Sequence, residues 1–226
     1  MRLPLFVLLV LFSCGRKVES PSSSPTKVVF LCGAPAEQVI LAIKGQSPLE
    51  IDNSLREKID FNCVNKEGRS PLIIAVEQGV SANLEKILDK GANVNFKNAQ
   101  GETALYYAAK LGKVNLMFTL WTYRADLELG DYSGKTPLHI TVQSGDMMAT
   151  QFLLKNGASL KSVDNQKWTP LHFAADEGNF KMVEYLLSLG ADKKAKNSLG
   201  HIPYYTAIKA RKKDWVKVSE ILKVSP

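Results

Sequence analysis

The chain has 226 residues and carries 29 Lys and Arg against 22 Asp and Glu, a formal net charge of +7. At 45% hydrophobic and 23% charged residues, the composition is that of a soluble globular protein and excludes a chain too polar to bury a core. Length alone allows one large or two small domains.

The amino terminus departs from this composition. Met1-Arg2 is a short positive start, Leu3 to Phe12 is a nearly unbroken apolar run, and Ser13-Cys14 follows. Ten apolar residues fall short of the roughly 20 that span a bilayer, so residues 1–13 read as a signal peptide. Leu11-Phe12-Ser13-Cys14 resembles the lipobox of bacterial lipoproteins, in which the cysteine is lipidated and becomes the mature terminus. Phe12 is bulkier than the residue most lipoboxes carry there, and an ordinary signal peptide cut nearby would leave Cys14 incidental. The resemblance implies a lipidated Cys14 with enough acyl chain for stable anchoring to a membrane. Residues 14–27, rich in Ser and Pro and without an apolar period, then read as a tether reaching roughly 40 Å when extended.

Residues 28–226 form the expected folded part. Cys32 and Cys63 follow short strand-like runs, Val28–Leu31 and Ile59–Phe61. In an exported chain they can form one disulfide, or they can remain as two buried thiols. The two runs differ in register by two residues, so pairing is expected to need local distortion.

From residue 70 the chain repeats every 33 residues: SPLIIA at 70–75, TALYYA at 103–108, TPLHIT at 136–141, TPLHFA at 169–174 and IPYYTA at 202–207. A fixed period of this length means stacked small units, each touching only its neighbours. Ser70, Thr103, Thr136 and Thr169 stand where they can cap a helix, and Pro71, Pro137, Pro170 and Pro203 occupy its first turn, where a missing N–H costs nothing. Leu72, Leu105, Leu138 and Leu171 point inward, with Ala75, Ala108, Ala174 and Ala207 where paired helices approach. Gly79, Gly112, Gly145 and Gly178 end the first helix of each unit; Gly91, Gly157 and Gly190 end the second. Ile87-Leu88, Leu120-Trp121, Leu153-Leu154 and Leu186-Leu187 read as the buried seam of the second helix. Asn65, Asn98, Asp131, Asp164 and Asn197 recur in the turn before each new unit, where a side chain can bond its own backbone.

The period and the T-P-L-H-x-A signature resemble the ankyrin repeat over roughly residues 35–224. The implied fold is an all-α solenoid of about six helix-turn-helix units with extended finger loops. The boundaries are approximately 35–65 for an amino-terminal cap, 66–98, 99–131, 132–164, 165–197, and 198–226 for a carboxyl-terminal cap. Internal departures are Arg124 for a glycine, Thr141 for alanine, and Lys167 where Gly68, Gly101, Gly134 and Gly200 stand. Arg124 is expected to take a left-handed conformation or a different turn.

The residues do not suggest an enzyme. His139 and His172 occupy the histidine of the signature, where the resemblance implies structural bracing, and His201 lies in a finger, expected to be exposed and without a partner at fixed spacing. No zinc spacing, phosphate-cradling loop or nucleophile motif occurs, so no catalytic residue, metal ligand or cofactor is expected.

Binding is the better reading, because fingertips and inner helix faces are not needed for stacking. In register, the fingertips are Arg69, Glu102, Lys135, Trp168 and His201, and the resemblance places Glu77, Lys110, Gln143 and Asp176 on the same concave side. Tyr132, Lys135 and Trp168, with Tyr107, form the expected partner-binding centre, because exposed aromatics are enriched at interface hot spots. The competing reading is that Tyr132 and Trp168 each pack on the next finger. From Lys181 onward, ten Lys and Arg face four acids, which suits an acidic protein, anionic lipid or cell-wall polymer, or simply a solubilising cap. The expected function is a lipid-anchored, monomeric protein-binding module of the bacterial envelope, of scaffold, chaperone or inhibitor type. It has an unidentified protein partner, a membrane contact through the anchor, no nucleic acid and no small-molecule substrate. The alternative is a surface-exposed lipoprotein that binds host proteins or anionic cell-wall and lipid groups.

Overall fold

The computed structural model describes residues 17–18, 29–30, 32–45 and 59–224. Cys14 and the whole of the expected signal peptide lie outside them. Among the described residues there are eleven helices, and the expected all-α solenoid is the architecture found. Helix α1 is Ala34–Gly45. Five helix pairs follow: α2 Pro71–Gln78 with α3 Ser81–Asp89, α4 Ala104–Lys110 with α5 Val114–Thr122, and α6 Pro137–Ser144 with α7 Met147–Lys155. The last two are α8 Pro170–Asp176 with α9 Phe180–Ser188, and α10 Pro203–Ala210 with α11 Trp215–Leu222.

The first helices stack in chain order, α1 on α2 through to α8 on α10, as one layer. The second helices form the other layer, α3 on α5 on α7 and α9 on α11. Stacking follows from the repeat. Leu72, Leu105, Leu138 and Leu171 are buried, and Ala75, Ala108, Ala174 and Ala207 are wholly so. Thr141, in the alanine position, is also wholly buried and satisfies its hydroxyl on the Leu138 carbonyl while accepting from the Thr150 hydroxyl at 3.0 Å. A polar pair in a core is tolerated when both members are bonded in this way.

Helix starts and stops read directly from composition. Ser70, Thr103 and Thr169 accept from the backbone N–H three residues on, a cap worth about 1 kcal/mol. At the other ends, Gly79 and Gly145 adopt φ of 82° and 74°. Where glycine is missing the conformation is kept: Arg124, Lys167 and Arg211 stand at φ of 66°, 58° and 48°. The stack thus imposes left-handed geometry on three residues that dislike it.

Two expectations are corrected. The buried seam of the second helices is carried throughout by its first member, since Ile87, Leu120, Leu153 and Leu186 are wholly buried; of the second members Leu88 is buried as expected, whereas Leu154 and Leu187 are half-buried and Trp121 is 37% exposed. Of the expected tether, residues 17–18 are described. Lys17–Val18 (β1) pairs antiparallel with Val29–Phe30 (β2), so positions 17 and 30 lie side by side. Finally, Cys32 and Cys63 are joined by a disulfide without the expected distortion, their Cα atoms standing 4.9 Å apart, inside the ordinary range. Beside it the Cys32 N–H donates to the Val64 carbonyl at 2.9 Å.

Candidate functional site

Each finger is a tight hairpin held by its Asn or Asp. The side-chain oxygen of Asn65 accepts from the N–H groups of Glu67 and Arg69, and Asn98, Asp131, Asp164 and Asn197 repeat the pattern two and four residues on. One side chain thus closes each turn, which is why only Asn and Asp occur there. Fingers are also linked to one another. The N–H groups of Tyr132, Asn165 and Ser198 donate to the carbonyls of Gln100, Ser133 and Gln166 in the preceding finger.

The two signature histidines brace this arrangement. The Nδ1 of His139 accepts from the Thr136 N–H at 3.0 Å, leaving Nε2 to carry the proton and donate to the Ser162 carbonyl at 3.1 Å. His172 does the same between Thr169 and the His201 carbonyl. Burial holds both imidazoles below the usual histidine range. Tyr106, at the same register, donates its hydroxyl to the Asp131 carboxylate at 2.9 Å. Burial first, and then that bond, push the Tyr106 phenol far up, so it stays a donor. These groups are consumed by structure. His201, expected to be exposed and without a partner, is instead half-buried with its ring 4.3 Å from that of Tyr205.

The concave face is governed by an offset of eight residues between a fingertip and the first helix that follows it. Arg69 places one guanidinium nitrogen 2.7 and 2.8 Å from the two Glu77 oxygens. In the next unit the signs exchange, with Lys110 Nζ 3.1 Å from Glu102. In the third the charge is unmatched: Lys135 Nζ reaches only the Gln143 amide oxygen at 3.3 Å and lies 5.1 Å over the Phe173 ring. In the fourth the fingertip is Trp168, and the corresponding acid, Asp176, turns to Lys212 at 3.3 Å. Charge pairing therefore closes the face at its amino-terminal end and relaxes in units three and four.

A groove of about 580 Å³ opens at that place, lined by Lys135, Gln143, Trp168, Phe173 and Asp176 with the finger residues Asn165 and Gln166. Its floor is aromatic: the Trp168 and Phe173 rings stand 5.2 Å apart, and Trp168 also leans on His172 at 5.8 Å. Arrangements of this kind, a few polar groups around an apolar floor, suit a protruding side chain of a partner.

The structure brings two of the four expected binding residues together, Lys135 and Trp168. Tyr132 lies elsewhere. Its ring is seated against Gly101 of the preceding finger rather than the next one, it remains 38% exposed, and burial raises its phenol. Tyr107 stands two units before Phe173, half-buried; burial first and then the Glu77 carboxylate raise its phenol, and Lys110 Nζ lies 5.4 Å over its ring. Phe173 is the residue that sequence reasoning missed. The signal was present, because 173 is in register with Tyr107, already singled out. Among the described residues no group of three or more His, Cys, Asp or Glu could hold a metal ion, and no helix is long and apolar enough to cross a membrane.

Comparison with known proteins agrees with this geometry at the level of family. The family model for ankyrin repeats (3 copies) matches residues 39–131 and again residues 112–197. No curated protein matches the chain. With that match spanning well over half the sequence, and with the helix pairs, capped T-P-L-H turns and bonded fingers in place, the chain belongs to the ankyrin repeat family.

Proposed function

We propose that the protein is a binding module that holds or inhibits another protein at the groove of units three and four, through Lys135, Trp168 and Phe173. Ankyrin repeats are protein–protein interaction modules, and one observation carries the placement. The fingertip-to-helix pairing that closes the face at Arg69–Glu77 and Glu102–Lys110 is absent at Lys135 and Trp168. A cation over an aromatic ring beside an indole offers apolar area and a charge to a partner side chain bearing a carboxylate.

The module acts, on this proposal, from a membrane surface of the bacterial envelope. The support is in the sequence: the positive start, the apolar run Leu3–Phe12 and the Ser13-Cys14 pair. Labelling cells with a fatty acid checks the anchor. Label present in the wild type and absent from Cys14→Ala is the expected result, and an unlabelled wild type would remove the anchor from the reading.

Binding is tested by co-purification with the full chain, comparing the wild type with Lys135→Ala and Trp168→Ala. Phe118→Ala serves as control, on the outer helix α5 and 54% exposed. A partner recovered by the wild type and the control but lost from both groove variants supports the site. Equal recovery by all four proteins would sink it.

A further inference from the structure

The loops that lead from each second helix to the next finger are tied to the segment one unit before them. Three times a side-chain oxygen accepts from the N–H group 31 residues on: Asn62 from Asn93 at 3.1 Å, Asn95 from Asp126 at 2.9 Å, and Glu128 from Ser159 at 2.8 Å. Glu128 gives its second oxygen to the Ser162 hydroxyl. The next position in this register is Lys161, whose ammonium group can only donate. The Asp192 N–H, its counterpart in register, meets no acceptor among the described residues, and both residues are exposed.

Charge changes at the same place. Loops 89–97 and 122–130 together hold three cations and three acids, whereas loops 155–163 and 188–196 hold five cations and a single acid, Asp192. Lys155, Lys161, Lys194 and Lys196 are exposed and form no ion pair among the described residues. Lys193 differs, since its Nζ donates to the Lys223 carbonyl at 3.2 Å. The Asp192 carboxylate is itself engaged, accepting from the Lys194 N–H at 2.8 Å. The same two loops carry exposed aliphatic side chains, with Val163 at 49% and Leu189 at 46%.

The internal copies say what the gap takes: an oxygen acceptor, and at Glu128 an oxyanion. Unmatched ammonium groups on long apolar stems, with exposed aliphatic side chains among them, suit many anions lying over apolar matter. That is the chemistry of a bilayer surface carrying anionic lipid, where each nearby lysine adds to the attraction. We propose that loops 155–163 and 188–196 dock on an anionic membrane surface. Headgroup phosphate oxygens accept from the Asp192 N–H and pair with Lys155, Lys161, Lys194 and Lys196. This rests on the membrane-surface reading above but not on its acyl anchor, so fatty-acid labelling at Cys14 and docking through these loops can fail separately.

The test uses the full chain with Cys14→Ala, so that no acyl group contributes, and vesicles of phosphatidylglycerol mixed with phosphatidylcholine. Vesicles of phosphatidylcholine alone report any binding by the apolar run Leu3–Phe12, which every variant shares. Tighter binding to the anionic vesicles is expected, weakening as salt is raised, together with slower amide exchange at Asp192. Lys161→Asn supplies the acceptor that stands at 62 and 95. It is expected to slow Asp192 exchange without lipid and to weaken anionic-vesicle binding about fivefold, equivalent to about 1 kcal/mol for one lysine. Lys66→Gln removes an exposed fingertip lysine and should leave binding unchanged. Equal losses in Lys161→Asn and Lys66→Gln would reduce the effect to net charge and overturn the proposal. So would equal binding to the two kinds of vesicle, or Asp192 exchange that anionic vesicles leave unaltered. Slowing at Asp192 by inorganic phosphate or by polyglutamate, but not by vesicles, would assign the loops to a free anion or to an acidic protein, and equally overturn it.

Discussion

The Tyr132 ring occupies the space where a side chain at Gly101 would begin: a Cβ there would stand 2.5 Å from its Cδ1 and 2.8 Å from its Cγ. Gly101 also has φ of 80°. Consecutive fingers are seated on each other through this contact, and the tyrosine stays 38% exposed beside it. Gly101→Ala is expected to lose about 2 kcal/mol or more in urea unfolding, from left-handed strain of about 1–2 kcal/mol plus the clash. Gly200→Ala, at φ of 76° with open space, should lose the strain alone. Equal losses at the two sites would contradict the seating of Tyr132.

Arg124 sits at φ of 66° where Gly91, Gly157 and Gly190 hold the same turn in other units. Arg124→Gly removes left-handed strain of about 1–2 kcal/mol and adds about 0.5–1 kcal/mol of unfolded-state entropy. A net gain of about 0.5–1 kcal/mol is expected, visible as a higher urea midpoint with unchanged slope.

His139 and His172 are buried neutral, with folded pKa values held down by burial. The unfolded chain therefore binds more protons than the folded one once pH drops below about 6.5. Stability should be level above that pH and fall as pH drops through the depressed values, by up to about 1.4 kcal/mol per unit for each histidine. Asp131 does not confuse this window. Although burial pushes its carboxyl up, hydrogen bonds from Ser133 and Tyr106 hold it below the usual carboxylate range, so its contribution is lost only under about pH 4. Thermal melts at pH 7.5 and 5.0 should separate the wild type from His139→Gln/His172→Gln, whose curve should be flatter though lower. An equal pH slope in both would remove the histidines as its source.

The disulfide closes a loop with a sequence separation of 31 between Cys32 and Cys63. Loop-closure entropy for that length amounts to about 3–4 kcal/mol. Reduction, or Cys32→Ser/Cys63→Ser, is expected to loosen the amino-terminal cap first, read as faster amide exchange in α1 than in α6 or α8. Unaltered exchange in α1 would show that packing alone holds the cap.

Sequence alone was enough for the stack itself. The 33-residue period, the capping Ser and Thr, the first-turn prolines and the finger Asn and Asp act within a few residues, so their consequences are local and readable. The same period removed His139 and His172 from consideration as chemistry. It could mark Tyr132, Lys135 and Trp168 as residues stacking leaves free, but it could not say which of them a neighbour uses. That depends on contacts between units, far apart in the chain: Tyr132 against Gly101, Lys135 over Phe173, Asp176 drawn to Lys212. Only the tertiary structure decided that the Tyr132 ring is seated on Gly101 and that Lys135 and Trp168 share a groove with Phe173. Each outcome turns on how adjacent units share space and charge, and no single repeat contains that information.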